Sequence, residues 1–338
     1  ALVVVCACAP RPSEPVDEPD GSPASRTVEL GAASPPSDPG RSRPESLRTV
    51  VVISVDGLAS YAVTKQVMPR LVTLLTDGAG TLNARTAERT VTLPNHTSMV
   101  TGLPIASSAG GHGVTWNVDL PERTVPSSVR SIFTLLADRG LTSAVFAGKS
   151  KLRLWDRSWP GTITRFVVDG SPDRLLAKTL TDLRRKNRSL TFLHLAGPDV
   201  AGHSTGWASA SYERALRAAD EAIGAIADAV STEDSAVLVV TADHGGVPGT
   251  RTHGDFTDPA NYTIPFVVWG SGIARGDLYR LDTDLVDPGN RSTAEEVNSA
   301  VSNAMVANLV AGAVGLPPVR GSHADQDQSL AESLGLLS

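Results

Sequence analysis

Hydrophobic residues in this chain gather into short continuous runs that are separated by longer segments of mixed character. The first run, Thr49-Val-Val-Val-Ile-Ser-Val55, ends in the dipeptide Asp56-Gly57, and four similar runs follow it. A continuous apolar run of this length is typical of a strand that is buried on both faces of a parallel sheet. We therefore predict five central strands, which cover residues 49–55, 142–147, 190–196, 236–241 and 264–269.

The segments between these strands carry apolar residues at the spacing of an amphipathic helix. Such patterns cover residues 67–75, 129–137, 212–230 and 297–314. Because strand and helix alternate throughout, we predict a doubly wound α/β fold with a mostly parallel central sheet and helices on both faces. The sequence has no internal repeat and no second linker, so the simplest partition is one domain over residues 47–320 and a polar C-terminal tail over 321–338.

The N-terminal segment has a different composition from the rest of the chain. Residues 1–8 are apolar but too few to span a bilayer, and they are typical of the end of a secretory signal. Val5-Cys-Ala-Cys8 resembles a bacterial lipobox and predicts a lipid on Cys8, with simple signal cleavage as the alternative. Residues 9–46 are rich in Pro, Ser, Asp, Glu and Gly, which predicts a disordered tether. We therefore expect an exported protein, either secreted or attached to the cell surface by this lipid.

Composition and charge exclude several classes of function. The 338 residues are 41% hydrophobic and 20% charged, which is ordinary for a globular domain. The net charge of −6 argues against a partner that is a nucleic-acid polymer, although nucleotides remain possible small substrates. Both cysteines, Cys6 and Cys8, lie in the N-terminal segment, so disulfides, thiolate ligands and a cysteine nucleophile are excluded from the folded domain.

Polar residues that can ligate a metal ion follow three of the predicted strands. They are Asp56, Asp199, His203, Asp243, His244 and, soon after the last pair, His253. Ligands bind at the carboxyl ends of strands in doubly wound folds, so we expect these side chains to meet. Mixed histidine and carboxylate ligation without cysteine suits two zinc ions, with manganese or iron as alternatives. Each motif alone also fits a turn or a tight loop, but together at successive strand ends they favour a metal site.

A candidate nucleophile, Thr92, stands directly before Leu-Pro-Asn. Pro94 suits the first turn of a helix, and a hydroxyl at that point lies near free backbone N–H groups and the positive end of the helix dipole. Such a hydroxyl is well placed to attack and then carry a phosphoryl group. Threonine before a helix is more often an N-cap, and Thr90 is a second candidate for the nucleophile. We prefer Thr92 because it directly precedes the turn.

The order of these motifs resembles that of the alkaline phosphatase superfamily and, within it, the nucleotide pyrophosphatase/phosphodiesterase branch. The matching motifs are Asp56, Thr92-Leu-Pro-Asn-His, Pro-Asp199-x-x-Gly-His203, Asp243-His244-Gly and His253-Gly. The resemblance extends from about Val50 to Leu316 and so covers nearly the whole predicted domain. It implies an alkaline phosphatase-like fold.

The resemblance also implies a role for each residue. One zinc ion would be held by Asp56, Asp243, His244 and the Thr92 oxygen, and the other by Asp199, His203 and His253. Thr92 would form a covalent phosphothreonine that is then hydrolysed, because metal coordination activates a hydroxyl without a neighbouring base. Asn117 takes the place of the family's asparagine that binds a phosphoryl oxygen. We therefore expect a hydrolase that cleaves phosphodiester or pyrophosphate bonds in small substrates such as nucleotides.

A lysine-containing segment keeps other activities open. Ala147-Gly-Lys149-Ser-Lys151 resembles the paired-lysine segment of phosphonoacetate hydrolases, in which case Lys149 or Lys151 would bind a substrate carboxylate or phosphoryl oxygen. The alternative for this segment is a solvated basic loop. A phosphomonoesterase or phosphonoacetate-type hydrolase is thus the second hypothesis, and a non-catalytic binding protein of the same fold is the third. His323 is the alternative to His253 as the last metal ligand.

Overall fold

The computed structural model of the chain describes residues 48–231, 235–291 and 299–337. The predicted signal, lipobox and tether over residues 1–46 lie outside this described part. Among the described residues, no helix combines the length and the apolar character that a membrane crossing requires.

One mixed sheet of eight strands forms the centre of the domain. The strands are β1 (Thr49–Val55), β2 (Ala79–Arg85), β3 (Ser143–Ala147), β4 (Arg165–Val168), β5 (Leu190–Leu195), β6 (Ala236–Thr241), β7 (Thr263–Gly270) and β8 (Gly276–Asp277). Their order across the sheet is β4-β3-β5-β1-β6-β7-β2-β8. The first five strands in this order are parallel to one another, whereas β7 is antiparallel to both of its neighbours.

The described helices form two groups. They are α1 (Pro69–Asp77), α2 (Thr92–Thr101), α3 (Ile132–Asp138), α4 (Arg153–Ser158), α5 (Pro172–Arg185), α6 (Gly197–Thr205), α7 (Ala210–Val230), α8 (Pro259–Tyr262), α9 (Leu278–Leu281), α10 (Val306–Ala313) and α11 (Ser329–Ser333). Helices α1, α5 and α6 pack against α7, and α2, α3 and α11 pack against α10. The predicted doubly wound α/β fold with a mostly parallel sheet is therefore confirmed.

Burial explains why the central strands were visible in the sequence. Every residue of β1 is buried, and β5 and β6 flank it in the sheet. All five predicted strands are present, and β1 and β6 have the predicted bounds. Strands β2, β4 and β8 were missed. The sequence of β2, Ala-Gly-Thr-Leu-Asn-Ala-Arg, lacks a continuous apolar run, β4 is half-buried, and β8 has two residues.

The C-terminal segment differs from the predicted polar tail over residues 321–338. Helix α11 buries Leu330 and Ala331 completely, and Leu334 follows one turn later in the same apolar contact. Polar side chains hold the preceding loop, because the Asn308 amide donates to Ser322 Oγ at 2.9 Å. The prediction was wrong because the apolar pattern consists of two leucines four residues apart, Leu330 and Leu334, and polar residues surround them.

Candidate metal centre and nucleophile

Three adjacent parallel strands bring the predicted metal ligands to one edge of the sheet. Asp56 directly follows β1, Asp199 and His203 lie on α6 after β5, and Asp243 and His244 follow β6. The backbone ties these ends together, because the Asp199 N–H donates to the Asp56 carbonyl at 3.0 Å. Five of the six side chains are buried, and His203 is the exposed one.

The six side chains form two groups of three. The ligand atoms of Asp56, Asp243 and His244 all lie within 4.8 Å of one another, and those of Asp199, His203 and His253 do so as well. His244 Nε2 connects the groups, because it lies 3.5 Å from Asp56 Oδ1 and 3.7 Å from Asp199 Oδ1. These are the two ligand sets that the family resemblance implies, apart from Thr92. His323 belongs to neither group and lies against Gly110.

The atoms that face one another in these groups fit a bound cation. Asp56 Oδ1, Asp199 Oδ1, Asp243 Oδ2 and His244 Nε2 are buried and have no hydrogen-bond partner among the described residues. Buried polar atoms without partners are costly, by about 1–3 kcal/mol each, and folded proteins seldom keep them without a reason. Four such atoms pointing at each other, all with lone pairs, match the donor set of a divalent metal site.

Backbone carbonyls fix the orientation of all three imidazoles. The Nδ1–H of His203 donates to the Arg251 carbonyl at 2.8 Å, and that of His244 donates to the Gly245 carbonyl at 2.9 Å. His253 Nδ1 donates in the same way to the carbonyl of Thr90. Each ring therefore presents the lone pair of its Nε2 to the site, as a metal-binding histidine must.

The charges of the site also favour cations. Burial raises the pKa of Asp243, and the neighbouring charges of Asp56 and Asp199 raise it further. Burial, followed by the neighbouring His244, lowers the pKa of His253 to about 3, and burial lowers that of His244. These two imidazoles are thus neutral at pH 7 and able to ligate, while three buried carboxylates lie close together.

Helix α2 begins at Thr92 and is buried along its whole length. Val91 is the N-cap and Thr92 is the first helical residue, so the alternative in which Thr92 caps the helix is wrong. The ring of His96 connects this turn to the candidate metal centre. Its Nδ1–H donates to the Thr92 carbonyl at 2.8 Å, and the same nitrogen lies 3.5 Å from Asp243 Oδ2.

Two further predicted residues lie beside the start of α2. The Leu93 N–H donates to Asn117 Oδ1 at 3.0 Å, which places the Asn117 amide next to Thr92. The Thr90 hydroxyl donates to the carbonyl of His253, whose ring donates back to the Thr90 carbonyl. Thr90 therefore supports a predicted metal ligand with both of its oxygens.

The Lys149 segment follows β3, which pairs with β5. The Lys149 ammonium lies 2.9 Å from Asp56 Oδ2 and also contacts Asp199 Oδ2. The side chain is 15% exposed, and Lys151 is buried, so the alternative of a solvated basic loop is wrong. Trp155 and Trp159 of the neighbouring α4 region belong to the hydrophobic core.

Sequence reasoning missed three residues that support the centre. His194 lies inside β5 and its Nε2 is 2.9 Å from Asp56 Oδ2, and His96 holds Thr92 as described above. The buried Trp207 packs its ring against His203 and His253, with ring centroids 5.4 and 5.7 Å apart, and donates from Nε1 to the Gly57 carbonyl. Two signals were available: the histidine in the otherwise apolar run Leu-Thr-Phe-Leu-His-Leu, and His96 as the last residue of the motif Thr92-Leu-Pro-Asn-His.

This fold, with its paired ligand groups at the strand ends, defines a member of the alkaline phosphatase superfamily. Residues 50–305 match the model of the Type I phosphodiesterase / nucleotide pyrophosphatase family, and the chain belongs to that family. Enzymes of this family act on phosphoesters, and its superfamily is metal-dependent.

Curated relatives match a smaller part of the chain. GPI ethanolamine phosphate transferase 1 of Chaetomium globosum is 37% identical over 105 residues, which are 30% of this chain and 11% of that protein. The protein of the same name from Yarrowia lipolytica is 34% identical over 149 residues, 41% of this chain and 15% of that protein. The aligned segments thus span a small fraction of the length of these relatives.

Solved structures share the fold at low sequence identity. Murine ectonucleotide pyrophosphatase/phosphodiesterase 5, in complex with AMP, superposes with a TM-score of 0.64 at 14% identity, over 85% of this chain and 100% of that chain. A 2-O GAG sulfatase superposes with a TM-score of 0.62 at 13% identity, over 85% of this chain and 74% of that chain. The phosphonate monoester hydrolase of Agrobacterium radiobacter has a TM-score of 0.54 at 14% identity, over 80% of this chain and 74% of that chain.

Proposed function

We propose that this protein is a two-metal hydrolase that cleaves phosphodiester or pyrophosphate bonds through a phosphothreonine at Thr92. The observation that carries the proposal is the pair of ligand groups whose unpartnered buried atoms converge near the start of α2. Asp56, Asp243, His244 and the Thr92 hydroxyl would hold one divalent ion, and Asp199, His203 and His253 the other. Zinc is our choice because the ligands are imidazoles and carboxylates.

The bound ions would lower the pKa of the nucleophilic hydroxyl and offset the charge on the attacking and leaving oxygens. The bond changes themselves occur at the Thr92 hydroxyl. Thr92 Oγ1, having lost its proton to solvent, bonds to phosphorus while the bond from phosphorus to the leaving oxygen breaks. Water then attacks phosphorus and gives up a proton, the bond from phosphorus to the Thr92 oxygen breaks, and that oxygen takes up a proton. The positive end of the α2 dipole and the Asn117 amide NH2 would offset the charge on the phosphoryl oxygens.

The contacts of Thr90 favour Thr92 as the nucleophile. The Thr90 hydroxyl donates to the carbonyl of His253 and so is committed to a proposed ligand. Thr92 is buried at the first position of α2, beside Asn117 and one hydrogen bond from His96. A neutral amide at this place suits a diester, which carries a single negative charge. An aryl monophosphate or a phosphonate is the alternative substrate with the same nucleophile.

The curated relatives support a second candidate, in which the phosphoryl group passes to an alcohol instead of water. Those relatives are named ethanolamine phosphate transferases, and their aligned segments are 34–37% identical to this chain. The phosphothreonine chemistry is the same in both cases, because only the acceptor that attacks phosphorus differs. We also propose that the protein is exported and carries a lipid on Cys8. This part of the proposal rests on the sequence of the N-terminal segment alone. A non-catalytic role is disfavoured by the intact ligand set.

A substrate panel with matched variants tests the proposal. Zinc-loaded protein is assayed with a bis-aryl phosphate, an aryl monophosphate and phosphonoacetate, with and without an added alcohol acceptor. We expect the diester to be cleaved fastest, and Thr92→Ala to bind two ions per chain while losing at least about 10³-fold in turnover. Thr73→Ala, which changes an exposed hydroxyl of α1, is the control with unchanged turnover.

Each alternative gives a different result in this panel. Turnover that survives in Thr92→Ala would remove Thr92 as the nucleophile. A wild-type protein that binds fewer than two ions would contradict the two-metal centre. Transfer of the phosphoryl group to the added alcohol, in preference to water, would replace the hydrolase with the transferase.

A further inference from the structure

The two oxygens of Asp56 have different surroundings, and so do those of Asp199. Both Oδ1 atoms are buried without a hydrogen-bond partner among the described residues, and both face the Nε2 of His244. Both Oδ2 atoms contact the Lys149 ammonium, at 2.9 Å in the case of Asp56. One oxygen of each carboxylate is therefore open to a metal ion while the other is already occupied.

His194 holds Asp56 from the same side as Lys149. Its Nε2 lies 2.9 Å from Asp56 Oδ2, and the ring is fully buried. The Gly148 N–H donates to His194 Nδ1 at 3.1 Å, so that nitrogen accepts and the proton sits on Nε2. His194 therefore donates to the Asp56 oxygen that faces away from the ligand group.

The strand pairing fixes the position of both residues. Strands β3 and β5 are parallel and place Ala147 opposite His194, so Lys149 emerges two residues later beside the end of β5. The Lys149 side chain is 15% exposed and its ammonium contacts both Asp56 and Asp199, so it is not a loosely held surface group.

We propose that Lys149 and His194 are positioning residues that turn Asp56 and Asp199 so that each offers a single oxygen to a metal ion. Lys149 also couples the two ion sites, because it holds one proposed ligand of each. This inference rests on the proposed two-metal function. In this inference Lys149 acts by orienting the metal ligands, and it does not contact a substrate phosphoryl or carboxylate group directly.

The direction in which the removal of Lys149 changes metal affinity distinguishes a positioning role from simple charge repulsion. A cation close to two divalent ions repels them, so removing only its charge would tighten ion binding. If Lys149 positions the ligands, its removal frees both carboxylates to rotate and weakens ion binding instead. Residues that orient metal ligands typically contribute 10–100-fold in metal affinity. Coupling through Lys149 further predicts that the first ion makes the second bind more tightly.

Zinc titration of the metal-free full chain in competition with a chromophoric chelator tests this inference. We expect two cooperative binding steps in the wild type. Lys149→Met should weaken both steps about 10–100-fold and abolish cooperativity. His194→Phe should weaken the Asp56 site more than the other, and His194→Gln, which keeps an N–H donor, should restore most of the loss. Lys178→Met removes an exposed lysine paired with Asp169 and is the matched control.

Several outcomes would overturn the inference. Equal or tighter zinc binding by Lys149→Met would show that Lys149 does not position the ligands, and two independent steps in the wild type would show that it does not couple the two sites. Lys149→Ala, which also removes both the charge and the donor, replaces the Met variant if thermal melting shows that the latter is unfolded. If the wild type binds both ions and the variants bind them equally well, the inference fails while the proposed function stands. A wild type that binds fewer than two ions would overturn both.

Discussion

Gly57→Ala tests whether the strand end after β1 sets the position of the metal ligands. Gly57 has φ +73°, and a Cβ at this position would lie 2.9 Å from Asp199 Cα and 3.0 Å from Asp199 Cβ. Ordinary contact begins at 3.4 Å, so Asp199 must move by about 0.5 Å (3.4 − 2.9). The backbone around this point cannot yield easily, because the Gly57 carbonyl accepts from both Trp207 Nε1 and the Tyr212 hydroxyl.

The magnitude follows from two separate costs. A left-handed backbone at a residue with a Cβ costs about 1–2 kcal/mol, and overpacking against a fixed neighbour costs about 1–3 kcal/mol more. Gly161→Ala isolates the first cost, because Gly161 has φ +75° and nothing within 4 Å of the added Cβ. We therefore expect Gly57→Ala to lose about 1–3 kcal/mol more unfolding free energy than Gly161→Ala.

Gly57→Ala and Gly161→Ala are compared by denaturant unfolding, zinc titration and diester turnover. A misplacement of about 1 Å costs about 10²-fold in rate, so a displacement of about half that size should reduce turnover in Gly57→Ala by about 10-fold. Gly161→Ala should keep wild-type zinc binding and turnover, because Gly161 lies in the turn before β4 and contacts no proposed ligand. If the two variants are equally stable and equally active, the close approach of Gly57 to Asp199 does not position the site.

Two further variants test the nucleophile's surroundings and the C-terminal segment. Asn117→Asp still accepts from the Leu93 N–H, but it loses the amide donor and adds a negative charge. Diester turnover should therefore fall about 10²–10³-fold at unchanged stability. Full activity in this variant would show that Asn117 is not part of the site. Burial raises the pKa of Asp325 from 3.8 to about 6, so its ionised form destabilises the fold and stability falls as pH rises through these values. Asp325→Asn can still accept from the Leu330 N–H, and its stability advantage over wild type should grow by about 1 kcal/mol from pH 5 to pH 8. Denaturant unfolding at both pH values measures this, and an advantage that does not change with pH would contradict it.

The parts of the fold that follow from local pattern were predictable. The run from Thr49 to Val55 is buried on both faces of the sheet, and that environment requires the continuous apolar sequence that made β1 visible. Strand β2 was not visible, because it combines glycine, asparagine and arginine and owes its extended form to pairing with β7. Its register shift between Thr81 and Ala84 further disturbs any alternation of polar and apolar positions.

The candidate ligands were predictable for a different reason. Asp56 directly follows β1 and Asp243 lies two residues after β6, and parallel strands that are neighbours must bring their ends together. The environment of Lys149 was not predictable, because it depends on which strand lies beside β3. That neighbour is β5, which also supplies His194, and no local pattern specifies this pairing. Supporting residues of this kind depend on tertiary contacts that sequence spacing does not record.

Diffraction at the zinc absorption edge from crystals of the zinc-loaded protein tests the central claim most directly. We predict two anomalous peaks, one contacting Asp56, Asp243, His244 and Thr92 Oγ1, and the other contacting Asp199, His203 and His253. In the same map Lys149 Nζ should remain against the Oδ2 atoms of Asp56 and Asp199. A single peak, or two peaks with the Thr92 hydroxyl bound to neither, would contradict the two-metal centre with Thr92 as its nucleophile.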